Sequence, residues 1–448
     1  MTQVASNTRS AVLHRDTRFI PKKAVGGKGS YIFLEDGTKF LDSTGGAAVS
    51  CLGHGHVKVT QAVADQLNQL AYCHTAFFGT EVSEELARFL CDSTGGKLSK
   101  LYVVSSGSEA VEAALKLARQ YFLEVSPAQP QRTRFIARLP SYHGITLGAL
   151  ATGGHVLRRQ PFEPLLAQNT SHVSPCYAYR GKKEHESDAD YVARLAAELD
   201  AEFLRVEPET VCAFIAEPVV GAALGAVPAV PGYFPAMKAI CEKYGALFIL
   251  DEVMSGMGRC GTLHAWEDEG VVPDLQTIGK GLGGGYAPFL AMDKGTGVFR
   301  HGQTYQGHPV ACAAALAVQK TIKEENLLEN VRAMGTYLEK QLRARLEAHP
   351  NVGDIRGKGL FWGMEFVKDK TTKEPFAPET AVAFHVQETG LKPVHGISLY
   401  AASGCVDGIR GDHVLLAPPY NVSKEEIDII VETAGKVIEE VFANISRL

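Results

Sequence analysis

The stretch Ala246-Leu-Phe-Ile-Leu-Asp-Glu252 decides the fold, because it joins a buried strand to charged side chains. Its first five residues form a continuous apolar run, which is typical of a strand buried on both faces of a sheet. The acidic pair that ends the run needs a partner or a chemical task, since a dry carboxylate is costly. A second apolar run, Leu275-Gln-Thr-Ile278, leads into Gly279-Lys-Gly281. The two runs predict strands that place a carboxylate side chain and an amine side chain at one edge of the sheet, where α/β proteins bind ligands.

Asp251 and Lys280 together indicate a cofactor that needs an anion at one atom and an amine at another. Pyridoxal phosphate has these needs, because its pyridine nitrogen takes an acidic partner and its aldehyde takes a lysine as a Schiff base. The alternative for Lys280 is a surface lysine in a glycine-rich loop. The cofactor hypothesis therefore also requires a phosphate site elsewhere in the chain.

Composition and charge narrow the class of protein. The chain has 448 residues, 45% of them hydrophobic and 21% charged, as in ordinary globular proteins. Its formal net charge of −5 favours neither a nucleic-acid nor a membrane partner. No signal peptide or membrane-spanning run is visible, so we expect a soluble, cytoplasmic protein. The nine cysteines form no Cys-x-x-Cys pair, which predicts reduced, mostly buried thiols and no metal site.

Alternating apolar runs and helical patterns predict a mostly parallel sheet over residues 100–290. Residues 170–190 are polar and are expected to be irregular. The predicted strands of this sheet are 101–104, 135–138, 211–216, 246–250 and 275–278. The predicted helices between them are 110–121 and 232–244.

The two ends of the chain predict further elements. After an irregular arm, Asp36-Gly37 indicates a hairpin between 31–34 and 39–41. Ser423-Lys-Glu-Glu426 is a capping box that begins the last helix. The remaining predictions are helices at 57–71, 310–323 and 327–346 and strands at 354–356 and 360–366.

Three further motifs contribute candidate site residues. Ser105-Ser-Gly-Ser-Glu109 lies between a predicted strand and a helix, where free N–H groups and the helix dipole favour an anion; ordinary helix capping is the alternative. Tyr142 follows a strand and can stack on a planar ring, although a structural role is the simpler interpretation. Glu217 ends the strand at 211–216. The aromatic patch at 72–78 is either core, the safer expectation, or a pocket wall.

Two glycine patterns, Gly256-x-Gly-x-x-Gly261 and Gly279-x-Gly-x-x-Gly284, match the dinucleotide-binding fingerprint as text. That fingerprint also requires a helix immediately afterwards. Neither pattern is followed by helical periodicity, and the residues after Gly284 resemble a strand. We therefore expect no nicotinamide cofactor.

Taken together, the motifs resemble those of the class III aminotransferases, which are fold type I pyridoxal-phosphate enzymes. The resemblance runs from about Val49 to the C-terminus, and Lys280 follows Asp251 at a distance typical of the family. The order and spacing of the motifs carry it: Ser106-Gly-Ser-Glu-Ala-Val-Glu, Tyr142-His-Gly, Glu217-Pro, Asp251-Glu-Val-Met-Ser-Gly-Met-Gly-Arg, Gly279-Lys-Gly-Leu-Gly-Gly-Gly and Thr304-Tyr-Gln-Gly-His-Pro.

The resemblance implies an α/β large domain with a seven-stranded type of sheet between helices, and a smaller α+β domain. The small domain would combine 1–60 with 326–448, and the large domain would span 61–325. The implied activity is transfer of an amino group from a primary amine or ω-amino acid to pyruvate or 2-oxoglutarate by a ping-pong mechanism. Another pyridoxal-phosphate reaction, such as that of an aminomutase or a decarboxylase, and a non-catalytic binding protein stay open as alternatives.

The resemblance also implies a role for each matched residue. Lys280 would carry the cofactor and move the proton, while Asp251 would pair with the pyridinium nitrogen. The other implied cofactor contacts are Gly107 and Ser108 at the phosphate, Tyr142 and Val253 on the two ring faces, His143 and Glu217 near the ring, and Thr304 at the phosphate of a neighbouring subunit. The active unit would therefore be a homodimer.

Substrate recognition is expected from Phe77, Phe78 and Arg410. The two aromatic rings would suit an apolar amine. Arg410 would take a substrate carboxylate, but it directly abuts Gly411-Asp412, closer than in the family pattern.

Overall fold

The computed structural model describes residues 10–15, 20–286 and 299–445. Its strands are β1 (Ala24–Lys28), β2 (Tyr31–Leu34), β3 (Lys39–Leu41), β4 (Arg134–Arg138), β5 (Thr170–Val173), β6 (Val211–Ala216), β7 (Val219–Val220), β8 (Val227–Pro228), β9 (Leu247–Glu252), β10 (Leu275–Ile278), β11 (Val352–Lys358), β12 (Phe361–Phe366), β13 (Tyr400–Ser403) and β14 (Asp412–Leu416). Its α-helices are α1 (Gly45–Ala48), α2 (Val57–Gln69), α3 (Glu81–Ser93), α4 (Gly107–Glu124), α5 (Leu147–Thr152), α6 (Val156–Arg159), α7 (Ala178–Gly181), α8 (Asp188–Arg205), α9 (Tyr233–Tyr244), α10 (Pro309–Glu324), α11 (Leu327–Leu346), α12 (Val382–Gly390) and α13 (Lys424–Ala443).

A five-stranded sheet in the order β10-β9-β6-β4-β5 lies at the centre of the described chain. All of its strand pairs are parallel, which confirms the α/β class. The whole of β6 is buried, and β9 is buried from Phe248 onward, so the expectation of strands covered on both faces is confirmed. Because the strands are parallel, their carboxyl ends meet at one edge. Thr277 of β10 pairs with Asp251 of β9 at that edge.

Two local predictions about the central sheet are wrong. Residues 170–173 were expected to be irregular but form β5, which pairs with β4 alone at the sheet edge. An edge strand is only partly buried, so it lacks the apolar run that marks an interior strand. Conversely, 101–104 pairs with no strand among the described residues. Val104 is apolar because it packs into the core beside α4. The strand-like residues after Gly284 lie largely outside the described ranges.

A second sheet is antiparallel, in the order β11-β12-β14-β13. The sequence predicts β11 and β12, but it does not predict the two strands from the last fifth of the chain. One core joins this sheet to α11, α13 and N-terminal residues such as Leu41 and Val59. That packing agrees with a small domain built from both chain ends, and the exact domain boundaries stay a prediction.

The capping and hairpin signals are confirmed. Both reciprocal hydrogen bonds of the capping box at Ser423 and Glu426 are present at the start of α13. β2 and β3 pair antiparallel around the predicted turn. Seven of the nine cysteines are buried, in agreement with the expectation of mostly buried thiols. Among the described residues, no helix has both the length and the apolar character needed to cross a membrane, and the cytoplasmic location stays a prediction.

Replacing Phe214 by alanine should lower the free energy of unfolding by about 3–5 kcal/mol. Phe214 lies fully buried in the middle strand β6 and stacks with Phe248 at a centroid distance of 6.3 Å. Its removal would leave a cavity that the surrounding sheet cannot fill. Urea unfolding followed by circular dichroism measures the change. Leu204→Ala is the control, because Leu204 is exposed and should shift the midpoint little; equal shifts in the two variants would contradict the prediction.

Candidate active site

A cavity of about 440 Å³ opens at the carboxyl edge of the central sheet. It lies where β6, β9 and β10 end, and Tyr400 of β13 forms part of its wall from the second sheet. The cavity brings together every predicted cofactor-binding residue except Thr304, namely Gly107, Ser108, Tyr142, His143, Glu217, Asp251, Val253 and Lys280. Residues separated by more than 170 positions in sequence therefore share one solvent-accessible site.

Asp251 is held rigidly at the base of this cavity. Its Oδ1 accepts hydrogen bonds from the Val253 backbone N–H at 3.1 Å and from the Thr277 hydroxyl at 3.0 Å. Its Oδ2 lies 2.7 Å from Nδ1 of His143. These contacts fix the orientation of the buried carboxylate, which lines the cavity.

Lys280 begins a short 3₁₀ turn directly after β10. Its Nζ donates a hydrogen bond to the backbone carbonyl of Ala47 at 2.9 Å. Burial lowers the pKa of the Lys280 ammonium to about 8, although Asp251 and Glu217 oppose the shift. A substantial fraction of this side chain is therefore a neutral amine near pH 8, and a neutral amine is the nucleophilic form.

The N-terminus of α4 provides a small-residue turn at the cavity wall. Ser106 caps the helix by accepting a hydrogen bond from the Glu109 N–H, which confirms the capping alternative for that serine. The N–H groups of Gly107 and Ser108 make no hydrogen bond to any described residue. A Cβ atom on Gly107 would lie only 2.8 Å from Cγ1 of Val253. Glycine thus leaves both room and free donors, as an anion site at a helix N-terminus requires.

The side chain of Glu217 is hydrogen-bonded to the backbone of Tyr142. The Glu217 carboxylate accepts hydrogen bonds from the N–H groups of Tyr142 and Gly221, each at 3.0 Å. Burial raises the pKa of Glu217 above its ordinary value. The bond fixes the backbone from which the Tyr142 ring projects into the cavity.

Several cavity residues were not identified from the sequence, chiefly Arg15, Arg158, Met254 and Tyr400. Arg158 comes from the four-residue helix α6, whose sequence carries no strand-end or glycine signal. Tyr400 belongs to the second sheet, about 120 residues beyond Lys280. Only Met254 could have been found, because it directly follows Val253.

The predicted substrate residues lie elsewhere in the described chain. Phe77 and Phe78 are 76% and 66% exposed, so the interpretation of the patch as core is wrong. They occupy a surface turn and do not line the cavity. Arg410 is exposed and forms an ion pair with Asp407 at 2.7 Å. Thr304 is also exposed, and its carbonyl accepts a hydrogen bond from the Tyr72 hydroxyl at 2.8 Å.

Comparison with known proteins assigns the family. The model of the class-III aminotransferase family matches residues 12–438. An aminotransferase of Gibberella zeae is 53% identical, covering 93% of this chain and 84% of the relative. A chloroplastic γ-aminobutyrate transaminase 3 of Solanum lycopersicum is 35% identical over 94% of this chain and 81% of its own.

A solved structure agrees with the sequence matches. The thermostable (S)-enantioselective omega-transaminase of Thermomicrobium roseum superposes with a TM-score of 0.87 and 34% identity. The match covers 98% of this chain and 96% of the other. The family match over most of the chain and the agreement in fold together identify the family. The chain belongs to the class III aminotransferases and is a fold type I transaminase.

Proposed function

We propose that this transaminase uses pyridoxal 5′-phosphate to move an amino group from a primary amine or ω-amino acid to pyruvate or 2-oxoglutarate. The supporting observation is that Lys280, Asp251 and the free helix N-terminus at Gly107 line one cavity. The reaction would follow a ping-pong order, in which the donor leaves as a carbonyl compound before the keto acid enters. The relatives named for γ-aminobutyrate and for omega-transamination support this substrate class.

The cavity residues fit the proposed cofactor. The N–H groups of Gly107 and Ser108, which have no partner among the described residues, suit its phosphate. The missing Cβ at Gly107 gives the phosphate room. Asp251 suits a cationic ring nitrogen. Val253 and Tyr142 supply an apolar and an aromatic surface for the two faces of a flat ring. When bound, pyridoxal phosphate supplies an electron sink for the charge that develops on the substrate carbon.

The chain's own residues would then perform three tasks. Lys280 would hold the cofactor covalently, and afterwards its Nζ would move a proton from the substrate carbon to the carbon that had been the cofactor's aldehyde. Asp251 would keep the ring nitrogen protonated, and His143 would hold the carboxylate in place through its 2.7 Å contact. Glu217 would stand near the ring hydroxyl edge and anchor Tyr142.

The decisive experiment is the visible absorption of the purified holoenzyme during addition of single amines. A transaminase should lose its visible band with a donor amine and regain it only with pyruvate or 2-oxoglutarate. A decarboxylase would regain the band without a keto acid. An aminomutase would keep the nitrogen within one molecule, which isotope labelling detects. The absence of any band after addition of cofactor would refute the proposal.

Capture of the cofactor by the apoenzyme should accelerate as pH rises, with a midpoint near 8. Below that pH the Lys280 amine is mostly an ammonium, and above it the neutral nucleophile dominates, because burial lowers the pKa from 10.5 to about 8. Stopped-flow absorbance measures the rate. Binding of pyridoxamine 5′-phosphate, which has no aldehyde, is the control for titration of the cofactor itself. A midpoint above 10 would contradict the prediction.

We also propose that the active unit is a homodimer with Thr304 reaching the phosphate of the neighbouring subunit. Tyr72, Phe77, Phe78, Thr304 and Tyr305 form one exposed surface, here called the aromatic surface. The Tyr72 and Tyr305 rings lie 5.7 Å apart, and exposed aromatic groups of this kind favour a protein partner. Sedimentation should give twice the chain mass of 48.3 kDa. A monomer that retains full activity would contradict this proposal.

A further inference from the structure

The turn that begins at Lys280 has a strained backbone. Lys280 has a φ of 43°, in the left-handed region that residues other than glycine rarely adopt. This backbone places the Lys280 Nζ in the cavity, where it donates to the Ala47 carbonyl at 2.9 Å. A strained conformation persists only where the surrounding structure holds it. Contacts from outside the turn must therefore keep Lys280 in place.

Gln319 of α10 makes such a contact. Its Nε2 donates one hydrogen bond to the Gly281 carbonyl at 3.0 Å and another to the Leu282 carbonyl at 2.9 Å. Gln319 is only 1% exposed, and both residues of the turn are buried as well. The amide thus uses its two hydrogens on two consecutive residues directly after Lys280. We call this pair of hydrogen bonds the glutamine clamp.

The two carbonyls of the turn depend on the glutamine clamp. Within the described ranges, neither carbonyl accepts a hydrogen bond from a backbone N–H. The Cys51 thiol lies 3.4 Å from the Gly281 oxygen, but a thiol is a weak donor. A buried carbonyl without a partner is costly, so loss of the clamp would favour a rearranged turn. The Gln319 Oε1 atom has no partner in the same part of the chain, so the hydrogen bonds of this amide serve the turn alone.

We propose that Gln319 is a positioning residue for amino transfer, because its clamp on the turn orients the Lys280 Nζ; this role rests on the proposed function above. Gln319 does not line the cavity, so it acts through the turn and touches neither substrate nor cofactor. Proton transfer by Lys280 depends on the placement of Nζ, since a displacement of about 1 Å can lower a rate about 100-fold. The cofactor phosphate would be held separately, at the N-terminus of α4. Loss of the clamp should therefore slow the chemistry more than it weakens binding.

The test replaces Gln319 by methionine in the holoenzyme, which nearly keeps the volume of the side chain and removes both hydrogen bonds. The turnover number should fall about 10- to 100-fold, the range for loss of two buried hydrogen bonds. The KM for the donor amine and the Kd for pyridoxamine 5′-phosphate, which needs no covalent bond, should change less than about threefold. Visible circular dichroism of the bound cofactor should lose amplitude, because it reports how the ring is held, whereas the far-ultraviolet spectrum should not change.

Two further variants separate the clamp from the mere loss of a buried glutamine. Gln66→Met is the matched control, because Gln66 is also buried and its Nε2 also donates to a backbone carbonyl, that of Leu70 at 2.9 Å. Gln66 lies on α2, away from the turn, so this variant should keep the wild-type turnover number. Gln319→Asn keeps an amide but withdraws it by one carbon–carbon bond of about 1.5 Å, so it should behave like Gln319→Met.

Three results would overturn the positioning role. They are wild-type turnover in both Gln319 variants, an equal fall in Gln66→Met, and a rise in KM with an unchanged turnover number. A further measurement needs no variant. Amide hydrogen exchange of residues 279–286 in the wild type should be slow despite the glycines of this segment, and rapid exchange would also contradict a clamped turn. Failure of the proposed function would appear differently, as no spectral change with any amine in the wild type.

Discussion

Replacing Lys280 by arginine should lower the turnover number of amino transfer by at least about 1,000-fold. Arginine keeps the positive charge and similar length, but its guanidinium stays protonated and is a poor nucleophile. The variant would lose both the covalent attachment of the cofactor and the base that moves the substrate proton. Burial lowers the pKa of the Lys280 ammonium to about 8, and both proposed tasks need a neutral amine.

Two measurements distinguish this chemical loss from misfolding. Borohydride reduction of the wild-type holoenzyme should fix the cofactor on the peptide that contains Lys280, and the variant should carry no such label. Circular dichroism should show the same helix content in both. Lys436→Arg serves as the control, because Lys436 lies exposed on α13 and pairs with Glu432. Label on a different lysine in the wild type would refute the role of Lys280.

Replacing Asp251 by asparagine should lower kcat about 100- to 1,000-fold, the range for loss of one preorganised electrostatic contact. The amide has the same shape but no charge, so it cannot hold a proton on the ring nitrogen. Its oxygen must keep accepting from the Val253 N–H. Its NH₂ group then faces His143, whose ring proton must move to Nε2, a buried atom without a partner in the described structure.

The readout for Asp251→Asn combines rate and spectrum. The cofactor should still bind, since the phosphate contacts are intact, but its visible band and the pH profile of kcat should shift with the ionisation of the ring nitrogen. Asp428→Asn is the control, because Asp428 is exposed and its carboxylate accepts a hydrogen bond from the Tyr337 hydroxyl on the surface. Full activity in Asp251→Asn would show that the ring nitrogen has no need of a negative partner.

The strands and helices with strong local signals could be predicted from the sequence. β6 is apolar throughout and β9 is apolar up to Leu250, and the capping box marks the start of α13 without reference to other residues. β5 could not be predicted, because an edge strand needs only a neighbour that offers hydrogen bonds. The exposure of residues 72–78 could not be predicted either, because a cluster of aromatic residues in the sequence is equally compatible with a buried core and with an exposed surface.

The sequence by itself determined the family and the residues at strand ends. Glu217 directly follows β6, Asp251 lies at the carboxyl end of β9 and Lys280 lies two residues beyond β10. Parallel strands necessarily bring their carboxyl ends to one edge. Only the tertiary structure decided which residues complete the cavity around them. Arg158 lies on a four-residue helix and Tyr400 on the second sheet. No local sequence pattern indicates that either residue lines the cavity. The physical reason is that the spacing of apolar residues in the sequence depends on contacts within one helix or strand. The wall of a cavity depends instead on how whole helices and strands pack against each other.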